Sequence, residues 1–188
     1  FYREKFHDKD DPLAVIRVNA EGLISYRALL FVPSKVPANM YTRDADPGLE
    51  LYSSGVMIMD RCTDLLPPCY AFARGVVDSP DLSLNISREM LQHDRQLKLI
   101  AANLGKKIKS ELTKLMTNDR EKYEQFHAAF GMVLRAGAVT ETGDKVDEIK
   151  DLLLYHTSET KLVSLKEYVD AMPAEQTKIY FATTSSVC

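Results

Sequence analysis

Six apolar residues in the middle of the chain constrain its fold more than any other feature. They recur at intervals of three or four and are Leu97, Ile100, Leu104, Ile108, Leu112 and Leu115. This spacing places them on one stripe of an α-helix, and such a stripe is stable only when another element covers it. The sequence therefore predicts a helix from about residue 89 to residue 116, packed on the rest of the chain. Gly105 lowers the stability of this helix by about 1 kcal/mol relative to alanine, but it allows another segment to pack closely against the helix.

The residues before this helix carry the signals of β-strands. Short apolar runs predict strands over residues 13–18, 24–32 and 49–59 and around residues 76–77. The polar loop at residues 19–22 makes a hairpin of the first two strands. Gly55 marks a bulge or bend within the third, because a glycine inside a strand has no side chain to pack. A sheet is therefore the surface on which we expect the long helix to pack.

The residues after the long helix predict a helical spacer and then renewed alternation of strand and helix. Further helices are predicted over residues 119–137, 144–153 and 164–171, and further strands over residues 154–156 and 179–182; one more short helix, over residues 67–73, precedes the long helix. Gly137 is expected to close the second long helix, and Ser164 to cap the last one. The pattern predicts an α/β fold with a larger unit at 1–117, a helical connector at 118–153 and the start of a smaller unit at 154–188.

Arg88 occupies a position that is unfavourable for a cation. A turn-rich approach over residues 79–85 leads to Ser87, a good N-cap, which places Arg88 at about the first position of the predicted helix. The positive end of the helix dipole disfavours a cation there by about 0.3–1 kcal/mol and favours an anion. Free backbone N–H groups together with a guanidinium therefore predict a phosphate site. The alternative is a surface arginine that pairs with Asp81 or Glu89.

Composition excludes several classes of function. The net charge of −3, mixed in sign, argues against a nucleic-acid-binding protein. No run of about 18 apolar residues is present, so we expect no membrane span. Three cysteines are too few for a disulfide framework and fit a reducing compartment. No leader sequence opens the chain, and we therefore expect a cytoplasmic location.

Other chemical patterns in the sequence are weak. Glu89 and His93 have the i, i+4 spacing of a metal-binding pair, but no third ligand is nearby, so no metal site is predicted. No phosphate-binding glycine loop and no dinucleotide fingerprint occurs. The basic cluster of Lys106, Lys107 and Lys109 is followed by acidic residues, which favours a solvated face over a phosphate-binding patch.

Several segments of the chain together resemble one known family. They are DDPLAVIRVNAEGLISYRALLFVPSKVP, ELYSSGVMIMDRCTDLLP, FARGVVDS, DSPDLSLNISREMLQHDRQL, DLLLYHTS, SLKEYVDAMP and QTKIYFAT. In order and spacing they resemble the middle segment of the heat-shock protein 90 chaperones, most closely the bacterial HtpG branch. The resemblance covers nearly the whole chain. It departs from the family pattern at Pro68-Cys69, at Ala73 and at the last five residues.

This resemblance implies a layered architecture. The middle segment of the family has a larger α/β/α unit with a mixed sheet and a long helix, then a helical connector and a smaller α/β/α unit. Against that plan the chain is expected to be an excised piece, clipped in a helix at its start and after one strand of the second unit.

The resemblance also implies a role for two residues. In the family, a separate N-terminal domain binds ATP with Mg, and the middle segment supplies an arginine that reaches the terminal phosphate. Arg88 matches that arginine, and Gln92 matches a glutamine of the same catalytic loop. The isolated fragment is then expected to hold neither ATP nor a metal ion and to be inactive alone.

The partners that the resemblance implies are the N-terminal nucleotide domain and the C-terminal dimerisation domain of the same chain, together with client polypeptides. The full-length protein would be a homodimer, and the fragment a monomer. Two alternatives stay open: a stand-alone phosphate- or anion-binding protein that uses Arg88, and a structural interaction domain. The first predicts a concave pocket with converging polar groups.

Overall fold

A mixed five-stranded sheet forms the first half of the chain in a computed structural model, which describes residues 1–37, 40, 47–83, 94–140 and 144–183. The strands are β1 (Ala14–Ala20), β2 (Tyr26–Val32), β3 (Leu49–Ser53), β4 (Val56–Cys62) and β5 (Arg74–Asp78). Their spatial order is β1-β2-β5-β3-β4. The pair β3 and β5 is parallel, and the other neighbours are antiparallel.

The helices follow the sheet in the chain, apart from one short helix at the start. They are α1 (Tyr2–Phe6), α2 (Arg95–Asn118), α3 (Arg120–Thr140), α4 (Asp144–Ile149) and α5 (Leu165–Asp170). Short 3-10 turns occupy Thr63–Leu65, Pro68–Tyr70 and Lys150–Leu152, and a second, two-stranded sheet pairs β6 (Leu154–His156) with β7 (Leu162–Ser164). The α/β class predicted from the sequence is confirmed. The three predicted unit boundaries stay a prediction.

The predicted hairpin between the first two strands is confirmed. β1 and β2 pair antiparallel from Ala14 opposite Val32 to Ala20 opposite Tyr26. Alternate residues of β1 are buried, as expected for a sheet with one face on the core. β2 alternates up to Leu30, and Phe31 is also buried because the rings of Tyr2 and Phe6 in α1 contact it. The core-facing residues of β1 are Ile16 and Val18.

The single strand predicted over residues 49–59 is wrong, because the chain turns back within it. Ser54 and Gly55 both have positive φ, at 49° and 79°, and join β3 to β4 in a two-residue hairpin turn. Two successive positive-φ residues match the right-handed twist of paired strands, and glycine adopts this conformation without steric strain. Gly55 is therefore the second residue of a hairpin turn and not a bulge within one strand.

The long helix buries the predicted stripe but begins later than predicted. Leu97, Ile100, Leu104, Ile108 and Leu112 are all buried, and Leu115 is half-buried against the same core. Asp94 is extended at φ −66° and ψ 123°, and its carboxylate accepts hydrogen bonds from the N–H groups of Gln96 and Leu97. An unbroken helix from residue 89 to 116 is therefore wrong, because Asp94 caps the helix at residue 95.

An aromatic cluster joins α3 to the 3-10 turn that precedes β5. The ring centroid of Phe72 lies 5.2 Å from that of Phe126 and 5.0 Å from that of Phe130. Tyr70 and Tyr123 extend the cluster on either side. Such edge and tilted contacts add about 0.5–1.5 kcal/mol per pair beyond the area that they bury. The helix predicted over residues 67–73 is reduced to one 3-10 turn that delivers two of these rings.

Gly137 does not close the second long helix, which continues to Thr140. A Cβ atom at Gly137 would lie 2.4 Å from the Cβ of Cys69 and 2.9 Å from its Cα. The glycine is therefore explained by the close approach of another segment and not by a helix end. Sequence pattern alone cannot separate these two roles of a glycine.

Side chains along one face of α3 bind the backbone of the second, smaller sheet and of the 3-10 turn that precedes it. Tyr123 donates its hydroxyl hydrogen to the carbonyl of Leu152. His127 Nε2 accepts the N–H of Leu154 at 3.1 Å, and Arg135 donates to the carbonyl of the same Leu154. Arg120 donates to the carbonyl of Leu162. We call Arg120, Tyr123, His127 and Arg135 the polar stripe of α3.

The last helix is capped as predicted, but the last predicted strand is wrong. Ser164 and Glu167 form a reciprocal capping box at the start of α5. Residues 179–182 are not part of a sheet among the described residues, and Phe181 is 87% exposed. A strand forms only where a neighbouring strand pairs with it, and no other described strand lies beside this segment. None of the described helices is both long and apolar enough to cross a lipid bilayer.

Two glycines inside the long helices should respond in opposite ways to alanine. A Cβ at Gly105 would lie 3.8 Å from Tyr70, an ordinary contact, so Gly105→Ala should stabilise the protein by about 0.5–1 kcal/mol. Gly137→Ala gains the same helix propensity but overlaps Cys69, and we expect a net loss of about 1–3 kcal/mol. Urea denaturation of both variants measures the difference. Equal effects would contradict the packing described at Gly137.

His127 should make stability depend on pH in mild acid. Burial lowers the pKa of His127 from about 6.5 to about 4, with further lowering from the nearby charge of Arg135. The unfolded chain therefore binds a proton at a higher pH than the folded chain, and stability falls as the pH drops through this window. We expect a loss of about 2 kcal/mol between about pH 7 and pH 5.

His127→Gln is the matched control, because its amide oxygen accepts the Leu154 N–H but does not titrate. Urea denaturation should show a flatter pH dependence for this variant over the same interval. The carboxyl groups whose pKa is lowered, such as Asp8 and Glu167, titrate below this interval. If the stability of His127→Gln falls as much as that of the parent between about pH 7 and pH 5, another group causes the pH dependence.

Candidate functional site

The predicted anion site centres on Arg88 and Gln92, and both residues lie outside the described part of the chain. The same holds for Ser87, Glu89 and His93. We call residues 84–93, which hold these five residues, the arginine segment. The structure describes both flanks of this segment.

The flank that precedes the arginine segment is fixed by Ser79. This serine is fully buried, and its hydroxyl donates to the carbonyl of Ser25 at 2.7 Å. Its backbone N–H donates to the carbonyl of Tyr52, which extends the line of the sheet beyond β5. One residue thereby contacts the start of β2 and the end of β3. The chain consequently leaves the sheet at a defined point.

Two further hydrogen bonds secure the same flank. The carboxylate of Asp81 accepts the backbone N–H of Ser25 at 2.6 Å. Ser53 donates its hydroxyl hydrogen to the carbonyl of Leu82 at 2.6 Å in a buried contact. The Leu82 side chain is itself in the core. Buried bonds of this kind contribute about 0.5–1.5 kcal/mol each, and leaving one partner unpaired costs more.

The flank that follows the arginine segment is fixed by Asp94 as the cap of α2. Arg88 lies six residues after Leu82 and six residues before Asp94 in the sequence. Six extended residues span at most about 20 Å. The described chain ends at Ser83 on one side of the arginine segment and resumes at Asp94 on the other.

A small cavity lies beside the preceding flank. It has a volume of about 240 Å³ and is lined by Asn19, Ser25, Arg27, Asp78 and Pro80 among others. Ligand pockets for drug-sized molecules have volumes of about 300–1,000 Å³, so this cavity is too small to enclose a nucleotide. Within the described ranges, no group of three or more His, Cys, Asp or Glu side chains could hold a metal ion.

A larger cleft of about 860 Å³ lies at the other end of β5. Arg74, at the start of β5, lines it, whereas Asp78, at the end of that strand, lines the small cavity. The Lys5 ammonium is paired with the Glu50 carboxylate at 2.9 Å, and this bond raises the pKa of Lys5. The Arg74 guanidinium lies 5.9 Å from the centre of the Phe6 ring. The concave pocket expected of a stand-alone anion-binding protein is thus separated from the flanks of the arginine segment.

The lysine cluster on the long helix has the exposed character predicted for it. Lys106 and Lys107 are exposed. Lys109 pairs with Asp151 at 3.4 Å and donates to the carbonyl of Asp147, which connects α2 to the short helix α4 and the turn after it. An exposed pair of this kind contributes little to stability.

The contacts of Ser53, Ser79, Asp81 and Asp94 were not foreseen from the sequence. The sequence indicates Ser79 and Asp81 as turn formers, and Asp81 also as a candidate partner of Arg88. Asp94 carried a local signal, because an aspartate before a helical run is a preferred N-cap. The contacts of Ser79 and Asp81 with Ser25 join residues 54 and 56 positions apart. No local pattern indicates a pair at that separation.

Comparison with known proteins identifies the relatives of this chain. The Hsp90 protein family profile matches residues 1–188. The chain is 55% identical over 187 residues to the chaperone protein HtpG of Oceanobacillus iheyensis and equally to that of Bacillus subtilis. These matches cover 99% of the chain but 30% of each relative, so the chain spans about a third of their length.

A solved structure agrees with these sequence matches. The middle domain of a Plasmodium falciparum heat shock protein superposes with a TM-score of 0.81 and 29% identity. The superposition covers 96% of the chain and 70% of that structure. The fold and the sequence therefore indicate the same family, and the family resemblance noted in the sequence is confirmed. The chain belongs to the Hsp90 protein family.

Proposed function

We propose that this chain is the middle segment of a longer ATP-dependent chaperone and supplies Arg88 to the terminal phosphate of ATP held by another domain. The relatives are named as chaperones and are about three times as long, and the superposed structure is named as a middle domain. The observation that carries the proposal is the position of Arg88. It lies midway between two flanks that the structure anchors by buried hydrogen bonds and a helix cap.

An arginine is suited to this role by its shape and charge. Its planar guanidinium forms two parallel hydrogen bonds to phosphate oxygens, and it stays charged at every physiological pH. Delivered from a second domain, it stabilises the negative charge that develops during phosphoryl transfer. Gln92 follows Arg88 by four residues and in this proposal adds a hydrogen bond in the same region. Neither residue can act until the two domains dock.

The described residues support placing the nucleotide in another domain. The cavity beside the flank at residues 79–82 is too small for ATP, and the described ranges hold no cluster that could bind Mg. ATP with Mg supplies the reacting phosphoryl group, and this chain contributes one cation and one amide toward it. The chain would therefore complete an active site and not form one.

The same proposal assigns partners to the longer protein. These are its nucleotide-binding and dimerisation domains, client polypeptides and, through the dimerisation domain, a second copy. Clients are held on broad surfaces, to which exposed apolar side chains contribute. Leu23 and Met132 are exposed apolar residues of this chain. We also propose that the longer protein is located in the cytoplasm.

Removing the arginine should affect the rate of hydrolysis far more than nucleotide affinity. In the full-length protein, we expect Arg88→Ala to lower kcat for ATP hydrolysis by about 10³-fold or less, since trans arginines contribute about 10³–10⁵-fold in other phosphoryl-transfer enzymes. Arg88→Lys should rescue poorly because a point charge lacks the planar fork. Steady-state ATPase assays and nucleotide-binding titrations measure the two quantities separately.

Arg17→Ala is the matched control, because it removes the same charge from an exposed position on β1. It should leave hydrolysis unchanged. Intact hydrolysis in Arg88→Ala would refute the proposed role. A large rise in the Kd for ATP with kcat unchanged would make Arg88 a binding residue and would favour the anion-binding alternative.

The isolated chain should be a monomer that neither binds ATP tightly nor hydrolyses it. It offers one phosphate contact, and dimerisation is assigned to a domain outside it. Sedimentation at micromolar concentration and calorimetric titration with ATP and Mg test the two parts. A tight dimer, or ATP binding in the micromolar range, would contradict the assignment of dimerisation and nucleotide binding to other domains.

A further inference from the structure

The larger cleft, at the start of β5, contains a cation that has no anionic partner in the described part of the chain. Arg74 is half-buried and lines this cleft, whose volume is about 860 Å³. Its guanidinium donates one long hydrogen bond, of 3.5 Å, to the carbonyl of Phe6 and lies 5.9 Å from the centre of the Phe6 ring. Among the described residues, no carboxylate forms an ion pair with it. A guanidinium has five N–H donors and keeps its charge at every physiological pH, so most of its capacity for hydrogen bonds is unused by these residues.

Asp8 interacts with the charge of Arg74 but does not pair with it. The carboxylate of Asp8 accepts the hydroxyl hydrogen of Tyr2 at 2.7 Å, and this bond is the main reason why the pKa of Asp8 is lowered. The positive charge of Arg74 lowers the same pKa further, although the two side chains form no ion pair. Asp8 therefore leaves the N–H donors of Arg74 available to a ligand.

The other charged side chains of the cleft have partners within it. Lys5 pairs with Glu50 at 2.9 Å, and Arg61 lies 3.9 Å from Asp60. With histidine counted as neutral, the lining contains three cations and two carboxylates. The unmatched positive charge is that of Arg74, so the cleft as a whole complements one negative charge.

Apolar side chains supply the second feature of this lining. Met132 and Val133 of α3 line the cleft together with Pro68 of the 3-10 turn before β5. Met132 is 70% exposed, so most of its surface is available for contact. Methionine is flexible and adapts to apolar partners of different shapes. The cleft therefore offers a cation and an adaptable apolar surface to the same ligand, within a volume typical of ligand pockets.

We propose that this cleft binds polypeptide segments in which an acidic residue is next to an apolar one, with the carboxylate on Arg74 and the apolar side chain against Met132 and Val133. The proposal rests on the proposed function, because the chaperone role is what brings polypeptides to this chain. A guanidinium binds a carboxylate through two parallel, charge-assisted hydrogen bonds, which select the acidic residue. Burial of the apolar side chain supplies further affinity.

The experiment measures peptide binding to the full-length protein by fluorescence anisotropy. The probe is a labelled, end-capped peptide of sequence Gly-Ser-Leu-Glu-Leu-Ser-Gly, which we call the Glu peptide, and the Gln peptide differs only in having glutamine in place of the glutamate. The variants are Arg74→Gln, Arg74→Lys, Met132→Ser and Arg17→Gln. Met132→Ser changes an exposed side chain and leaves the core intact. Arg17→Gln is the matched control, because it removes the same charge from an exposed residue outside the cleft.

We expect Arg74→Gln to raise the Kd for the Glu peptide by about three- to tenfold and to leave the Kd for the Gln peptide within about twofold. This difference isolates the contact between guanidinium and carboxylate, because a damaged fold would weaken the binding of both peptides alike. Arg74→Lys keeps the charge without the planar fork and should recover part of the loss. Met132→Ser should weaken the binding of both peptides by a similar factor, and Arg17→Gln should weaken neither.

Three results would overturn the proposal. They are no detectable binding of the Glu peptide, equal effects of Arg74→Gln on both peptides, and peptide binding that no cleft variant changes. Isocaproate, a small acid with an apolar tail, distinguishes the source of the carboxylate. If isocaproate binds in a manner that depends on Arg74 and the peptides do not bind, the cleft takes small organic acids and the assignment to polypeptides is wrong.

ATP hydrolysis by the same proteins separates this proposal from the proposed function. Arg74→Gln and Met132→Ser should hydrolyse ATP at the parent rate, whereas Arg88→Ala should lose hydrolysis and bind both peptides as the parent does. If Arg88→Ala lowers hydrolysis but Arg74→Gln does not alter peptide selection, the cleft proposal fails and the role of Arg88 stands. Normal hydrolysis in Arg88→Ala would refute the role of Arg88, and the peptide affinities would still decide the role of the cleft.

Discussion

Burial of the apolar stripe of α2 is the constraint on which the rest of the structure depends. Its five fully buried residues lie in the same core as the inner faces of β1, β2, β3 and β5. Each such side chain contributes about 1.5–3 kcal/mol on burial, so together they outweigh any single polar contact in the chain. The arginine segment must then connect the end of the sheet to the start of the helix.

Periodicity predicted those elements of the fold that one face of apolar residues defines. The stripe of α2, the β1–β2 hairpin and the helix cap at Ser164 were all anticipated correctly. The hairpin between β3 and β4 was missed, because its turn has two residues and the apolar run continues through it. Gly137 was assigned to a helix end, although its cause is Cys69 in another segment. Such errors arise where a distant part of the chain decides a local feature.

In the candidate site too, local signals were predicted from the sequence and long-range contacts were not. Arg88 was indicated by local electrostatics and by the family resemblance, and Gln92 by the resemblance alone; both lie outside the described residues. The contacts that fix the flank before them join residues more than 50 positions apart, so only the folded structure brings those partners together. A sequence therefore identifies a reactive group by its chemical type. It does not identify the serine and aspartate that hold the backbone before it, because those residue types are common in every turn.

One part of the chain combines apolar packing with contacts that respond to pH. The sheet and α2 meet through apolar packing, which does not change with pH, and α3 shares the same core with residues 149–154. The polar stripe of α3 adds hydrogen bonds from Arg120, Tyr123, His127 and Arg135 to the backbone of β6, of β7 and of the 3-10 turn before β6. Its weakest member in acid is His127, because a proton on Nε2 removes the acceptor for the Leu154 N–H. The neighbouring guanidinium of Arg135 opposes that proton, which is one reason why the pKa of His127 is low. Mild acid should therefore weaken the hydrogen bond between α3 and β6, whereas the apolar contacts of the main sheet with α2 contain no group that titrates there.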